Sequence, residues 1–340
     1  MAVAELPASA KQGKTTLASK PRSLFSDSMA RLKHNRLAMV GIVFLLAMAL
    51  ASIFAPLITT GDYAAQDLLK NNAVPSWILF LLPENAENYA RIDDTAFFGY
   101  DNLGRDLWTR TLYGARISLL VAIVASTVSL IIGTVYGLIS GYFGGKVDDL
   151  MMRVVDFLYG FPFLIAVVLL QTYFKALSRR GGDAAGFGGF VIGINNAMGG
   201  MFFLFIAIGL LNWLGMARIA RAQVLSIREK EYVEAARSIG SNGFRIIFKH
   251  ILPNIIGPLI VFESLAIPGY IFLEAFLSFI GLGVDAPTPS WGIMISESSQ
   301  AIRSYPNQLL LPAVALTLTT LAFNFVGDGF RDAFDPRLKE

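Results

Sequence analysis

"EYVEAARSIGSNGFRIIFKHILPN", Glu231 to Asn254, interrupts an otherwise apolar chain with charges, a glycine turn and a proline. Between Glu229 and Ile239 the apolar or small residues Tyr232, Ala235, Ala236 and Ile239 share one helical face, bordered by Glu229, Lys230, Glu234 and Arg237. Gly240 then stands where a helix C-terminus commonly needs a left-handed residue. "SNG" makes the turn, "FRIIFKHI" restarts the helix, and Pro253 marks entry into the next apolar run. The pattern predicts a short amphipathic helix pair held against a membrane. Alanines on its exposed edge permit close docking of a partner; an ordinary helical loop is the plainer alternative.

The rest of the chain sets that context. Its 340 residues are 54% hydrophobic and 16% charged, with a mean hydropathy of +0.56, too apolar for a domain that must cover itself with polar side chains. Absence of cysteine excludes disulfides, thiolate metal sites and cysteine nucleophiles. His34 and His250 are the only imidazoles, little material for a zinc site or an acid/base dyad. The net charge of +3 needs no nucleic-acid partner, because the basic residues cluster beside apolar spans.

Six apolar runs approach the length that crosses a hydrocarbon core: Leu37 to Ile58, Ile117 to Gly141, Val154 to Phe174, Met201 to Ala217, Ile255 to Gly281 and Gln308 to Val326. The fourth has an open start, since residues 175–200 carry eight glycines and no clear period. "ILFLL", Ile78 to Leu82, is too short to span and reads as a surface or interfacial piece. "AMALASIFA" has small residues at the spacing of a signal-peptide cleavage site, but its basic lead and its apolar run are both long for one. With the N-terminus cytoplasmic, the inner loops carry nineteen Lys and Arg against nine outside, so the positive-inside rule puts both termini and the Glu231–Asn254 stretch in the cytoplasm.

The expected organisation is all-α: a polytopic membrane protein with six transmembrane helices. A leader covers 1–36, a first span 37–58, an extracytoplasmic segment 59–116, a five-helix core 117–327 with the charged loop at about 220–254, and a tail 328–340.

Several signals imitate chemistry. "QGKTT" at Gln12 to Thr16 is half of a phosphate loop, but Ala8 replaces the required earlier glycine and no strand precedes it, so it reads as disordered basic leader. Gly133, Gly137 and Gly141 lie inside a span at four-residue spacing, which suits close helix approach better than a nucleotide cradle. Asp156, near the end of the third span, can snorkel towards Arg153 or solvent.

Glu263 and Glu274 lie deeper, on nearly one helical face and about 16 Å apart along the axis. Pro268 between them removes a backbone donor and favours a kink. Membrane-embedded acids face a bundle interior, a partner or an aqueous path. Two readings stand: a translocation path lined by acids, or buried acids satisfied by Ser, Asn or Arg on neighbouring helices.

"EAARSIG" followed by "LP" is similar to the EAA signature of permease subunits in ABC importers, matching at Glu234, Ala235, Ala236, Gly240, Leu252 and Pro253. His250 stands where isoleucine is usual, as "HILPN" does in peptide permeases. "YDNLGRDLWTRTLYGARISL" at Tyr100 to Leu119, "AFLSFIGLGVDAPTPSWGIM" at Ala275 to Met294 and "GDGFRDAFDPRLK" at Gly327 to Lys339 extend the match over nearly the whole chain. They resemble the C-type permease of dipeptide and oligopeptide importers. Tyr100 replaces a threonine expected before Asp101, and the glycine-rich loop at 175–200 is longer than usual.

The resemblance implies a type I ABC importer permease fold in the inner membrane of a prokaryote. The coupling loop, with Tyr232, Glu234, Ala235, Ala236, Arg237, Gly240, Leu252 and Pro253, would insert into a cytoplasmic ATPase. The chain itself would be non-catalytic and hold no cofactor, ATP and magnesium being bound by two partner ATPases. A homologous B-type permease, an extracytoplasmic peptide-binding protein and the lipid bilayer complete the expected partners. Nickel chelate, opine or sugar are alternative solutes in this family. A proton-coupled carrier is the rival mechanism, against which the coupling loop and the missing internal repeat both count.

Overall fold

Asn35 opens the first long helix because its side chain accepts the Ala38 N–H at 3.1 Å, and Asp106 opens the second by accepting the Thr109 N–H at 2.9 Å. In a computed structural model, residues 24–334 are described apart from 60, 181–185 and 199. Most of the leader, including "QGKTT", part of the glycine-rich segment and the last six residues lie outside the described residues.

The helices are α1 (Leu24–His34), α2 (Arg36–Ile53), α3 (Ala55–Ile58), α4 (Leu107–Phe143), α5 (Gly145–Gly160), α6 (Phe163–Arg180), α7 (Phe187–Ala197), α8 (Met201–Ile227), α9 (Glu231–Ser238), α10 (Gly243–Arg245), α11 (Leu252–Phe279), α12 (Trp291–Ser298) and α13 (Pro306–Phe334). Five helical stretches are long and apolar enough to cross a membrane, and α5 with α6 makes a sixth if that bent pair is one span. The all-α expectation stands. The third span is not the continuous helix expected over Val154 to Phe174: α5 and α6 meet at 83°. Pro162 supplies no N–H, and Phe161 before it is extended (φ −82°, ψ 133°), which ends α5 at Gly160.

Other boundaries shift for local reasons. Asp106 starts α4 ten residues before the apolar run begins, within the segment assigned to the extracytoplasmic side. α8 starts at Met201 as expected and runs ten residues past Ala217, while "FGGFVIGINNA" forms the separate helix α7. α13 continues to Phe334, into the expected tail. Residues 24–34 of the leader are helical, and Leu32 packs with Ala38 and Ala333.

The seam between α4 and α8 is the centre of the fold. A Cβ on Gly133 would lie 2.5 Å from Met216 Cβ, one on Gly137 2.5 Å from the Ala217 carbonyl, and one on Gly141 2.8 Å from Val224. The glycine ladder therefore serves close packing, as its spacing indicated. α4 also packs against α11, which passes through Pro258 and Pro268, and α11 packs against α13.

Residues 61–106 form a small cap with short 3₁₀ turns at the N-terminal end of α4. In "ILFLL", Ile78 and Leu82 are buried with Val74 and Ala86, whereas Phe80 is exposed. The cap is tied down through Asp101, which accepts the Leu103 and Arg105 N–H groups and pairs with the Arg105 (2.6 Å) and Arg110 guanidiniums. Glu297, at the end of α12, accepts from both arginines at 2.8 and 2.9 Å. This closed set of charges satisfies nearly every donor it buries. The Trp291 indole, fully buried, donates to the Thr111 carbonyl at 3.0 Å and fixes α12 on α4.

Candidate coupling elbow and membrane cavity

α9, α10 and the start of α11 form an elbow at the C-terminal ends of α4 and α8. Glu231 and Glu234 in the first turn of α9 and Arg237 in the last complement its dipole. Val233 and Ala236 point inward, onto a cluster with Leu138, Val224, Ile246 and Ile251. The buried stripe is thus rotated from the expected face: Ala236 is turned in, while Tyr232, Ala235 and Ile239 face outward. Val233, which the sequence reading left off that face, fills the inward position beside Ala236.

Gly240 adopts φ +78°, and a Cβ there would meet nothing within 4 Å. Its N–H donates to the Arg237 carbonyl at 2.9 Å, and the Ser241 N–H donates to Ala236 at 3.0 Å, the paired bonds of a Schellman terminus. Asn242 then accepts the Arg245 N–H at 2.8 Å and restarts the helix. A π-helical turn, Ile246–Ile251, leads into α11, with Leu252 half-buried and Pro253 exposed in its first turn. The restart needs no amide hydrogen from Pro253 at that position.

The outer surface of the elbow sets exposed apolar side chains among the exposed charges Glu231, Glu234, Arg237, Arg245 and Lys249. Ile239 is 83% and Phe244 71% exposed, and Phe244 packs on Phe248 with ring centroids 4.4 Å apart. Partial burial pushes the Tyr232 phenol above its usual range. Beneath the elbow, the Arg237 guanidinium lies 5.7 Å from the Tyr142 ring centroid, and Gly243 leaves room for the same ring. Arg221 holds Asp148 by two bonds of 2.6 and 2.5 Å, and Arg228 donates to the Gly141 carbonyl at 2.9 Å. These contacts make the elbow continuous with the ends of the long helices.

The second region lies between α5, α6, α8 and α11. A half-open cavity of about 890 Å³ is lined mainly by apolar and aromatic side chains, with Tyr159, Asn212, Tyr270 and Thr320 supplying polar atoms. Glu263, 4% exposed, sits behind its wall: Tyr270 donates to it at 2.8 Å and Ser129 at 3.1 Å. Glu274 is fully buried and accepts from Ser278 at 2.6 Å and Ser118 at 3.2 Å. Hydroxyls on α4 and α11 thus partner both acids, and neither lines the cavity. Asp156 pairs with Arg218 at 2.6 Å, not with Arg153 beside it in sequence.

Val233, Phe244 and Phe248 escaped the sequence reading although their signals were local, a β-branched residue inside the motif and aromatics four apart. Tyr159 and Arg218 had no local signal, because they lie on α5 and α8, which are far apart in sequence and meet only in the fold.

Comparison with known proteins fits this architecture. Residues 133–340 match the family described as binding-protein-dependent transport system inner membrane component, and residues 23–75 match the N-terminal TM domain of oligopeptide transport permease C. The oligopeptide transport system permease protein OppC of Bacillus subtilis is 38% identical over 98% of this chain and 97% of its own length. OppC of Haemophilus influenzae is 42% identical over 93% of this chain and 89% of its own, and the dipeptide transport system permease protein DppC of Bacillus subtilis 39% over 93% and 87%. Among solved structures, a chain of the inward-facing MetNI methionine ABC transporter aligns with a TM-score of 0.50 at 16% identity, covering 67% of this chain and 96% of that one. The helical order, the elbow and these matches place the chain in the family of binding-protein-dependent transport system inner membrane components.

Proposed function

We propose that this chain is a non-catalytic permease subunit of an ATP-driven peptide importer, forming half of a translocation path. The observation that carries the reading is the elbow: a left-handed Gly240 between two capped helices, with Ile239, Phe244 and Phe248 turned outward and Val233 and Ala236 anchored on α4 and α8. A rigid amphipathic protrusion on the ends of the long helices is suited to transmit movement into them. On this reading Tyr232, Glu234, Ala235, Ala236, Arg237, Gly240, Leu252 and Pro253 make or support the contact with a cytoplasmic ATPase. Peptide as the solute is supported by the names of the relatives.

The same reading supplies the partners. Two ATPases hold ATP and magnesium, a homologous B-type permease completes the path, and an extracytoplasmic binding protein delivers the peptide. Both termini and the elbow are cytoplasmic, in the inner membrane of a prokaryote, as the excess of nineteen basic residues over nine supports. Glu263 lends the cavity negative potential through Tyr270, favouring a cationic peptide N-terminus in transit; Glu274, sealed behind serines, contributes only at longer range.

The test is purification of the tagged chain in mild detergent from its native membrane, with mass spectrometry of what remains bound. Recovery of a second permease and ATPases is the expected result. Recovery of the chain alone across several gentle detergents would contradict the reading and favour a proton-coupled carrier.

A further inference from the structure

Two Arg–Asp pairs join α5 to α8, and they differ in kind. Arg221 grips Asp148 with two bonds, and the Asp148 side chain is 9% exposed and also held by Ser140. Both of its carboxylate oxygens are engaged inside the fold. Arg218, one turn earlier on α8, makes a single bond to Asp156, through Nη2 at 2.6 Å, and both side chains are exposed, at 45% and 65%. Among the described residues the remaining donors of that guanidinium have no acceptor. Its Cζ lies over the ring of Tyr159, 4.1 Å from the centroid, and that residue lines the cavity. The Tyr159 hydroxyl reaches to 3.4 Å from where a Gly215 Cβ would stand, on the cavity wall.

The position argues against a purely structural pair. Arg218 follows the apolar run of α8 inside the helix, and its exposed guanidinium lies beside Tyr159, whose ring lines the cavity, and a charged group at that place faces an aqueous path in preference to hydrocarbon. A monodentate, solvent-facing pair contributes little stability. A guanidinium stacked on an aromatic ring and holding a free fork of N–H groups matches a carboxylate, which it binds through two parallel bonds.

We propose that Arg218, backed by Tyr159, receives the α-carboxylate of the passing solute at the elbow-side rim of the cavity. Asp156 occupies the guanidinium between transport events and yields it to the solute. The ligand class is a compound bearing a free carboxylate, such as a peptide C-terminus. The inference rests on the peptide-import reading and deepens it by naming a contact in the path.

The test uses the complete importer in lipid vesicles with saturating binding protein, ATP and labelled trialanine. Arg218→Gln is expected to lower trialanine uptake about tenfold, the loss that follows from removing charge-assisted hydrogen bonds, while ATP hydrolysis stimulated by the binding protein persists. Asp156→Asn is expected to keep uptake within about twofold of wild type, since it removes the competitor and not the receptor. The double exchange Arg218→Asp with Asp156→Arg is expected to stay as low as Arg218→Gln.

Equal losses in Arg218→Gln and Asp156→Asn, with recovery in the double exchange, would make the pair structural and overturn the proposal. Full uptake by Arg218→Gln, or loss of its stimulated ATP hydrolysis as well, would also overturn it. Absence of uptake by the wild-type importer would remove the peptide-import reading and this inference with it.

Discussion

The Ser241 N–H donates to the Ala236 carbonyl at 3.0 Å, closing the chain around Gly240 and fixing the angle between α9 and the helix that enters the membrane. Ala236 is also one of the two residues that anchor α9 on the long helices. One residue thus joins the turn to the bundle, so displacement of the elbow is passed to α4, α8 and α11 with little slack.

The elbow separates folding from docking by side-chain direction. Ile239→Asp and Phe244→Asp alter exposed positions and should change the thermal stability of the purified chain by no more than about 0.5 kcal/mol, yet strip the ATPases from the complex. Val233→Asp buries a charge in the cluster beneath and should destabilise the chain itself by several kcal/mol. Unfolding curves in detergent alongside ATPase retention distinguish the two classes; retention in Ile239→Asp and Phe244→Asp would move the docking surface elsewhere.

The α4–α8 seam makes a second prediction. Gly137→Leu would drive a side chain into the Ala217 backbone and Ala220, and no rotamer relieves a clash that begins at Cβ. Its folded yield should collapse. Gly269→Ala, where a Cβ meets nothing within 4 Å, should express and melt like wild type. Normal melting of Gly137→Leu would mean that the two helices stand further apart.

The acids should divide. Glu263→Gln keeps an acceptor for one of the Tyr270 and Ser129 hydroxyls and turns an amide N–H to the other, but it removes the carboxylate beside the cavity, so uptake of a cationic peptide should fall several-fold relative to a neutral one. Glu274→Gln, sealed behind Ser118 and Ser278, should change that ratio by less than about twofold. An unchanged ratio in both variants would return both acids to packing roles.

Legibility in the sequence followed the range of the interaction. Gly240, Pro253 and the four-residue glycine spacing act on neighbours within a turn or two, and the turn, the helix entry and the close seam could be read directly. The acids were legible as acids, but two of the serines that satisfy them, Ser118 and Ser129, come from α4, more than 130 residues away. The break at Phe161–Pro162 was visible as letters, yet the apolar run continued through it and length prevailed over local chemistry. In α9 two apolar stripes were available on eight residues, and only the shape of the surface beneath selected Val233. Asp156 had a basic neighbour in sequence and a different one in space, because α5 packs against α8.

The most direct test of the central claim is Gly240→Arg in the intact importer, measuring ATPase retention, peptide uptake and the thermal stability of the purified chain. A left-handed arginine costs about 1–2 kcal/mol in the turn, and its side chain projects into space that the chain leaves open for a partner. The expected result is a membrane-inserted, folded subunit that has lost its ATPases and its uptake. Undiminished uptake at normal expression would contradict the assignment of the elbow as the point where force enters this protein.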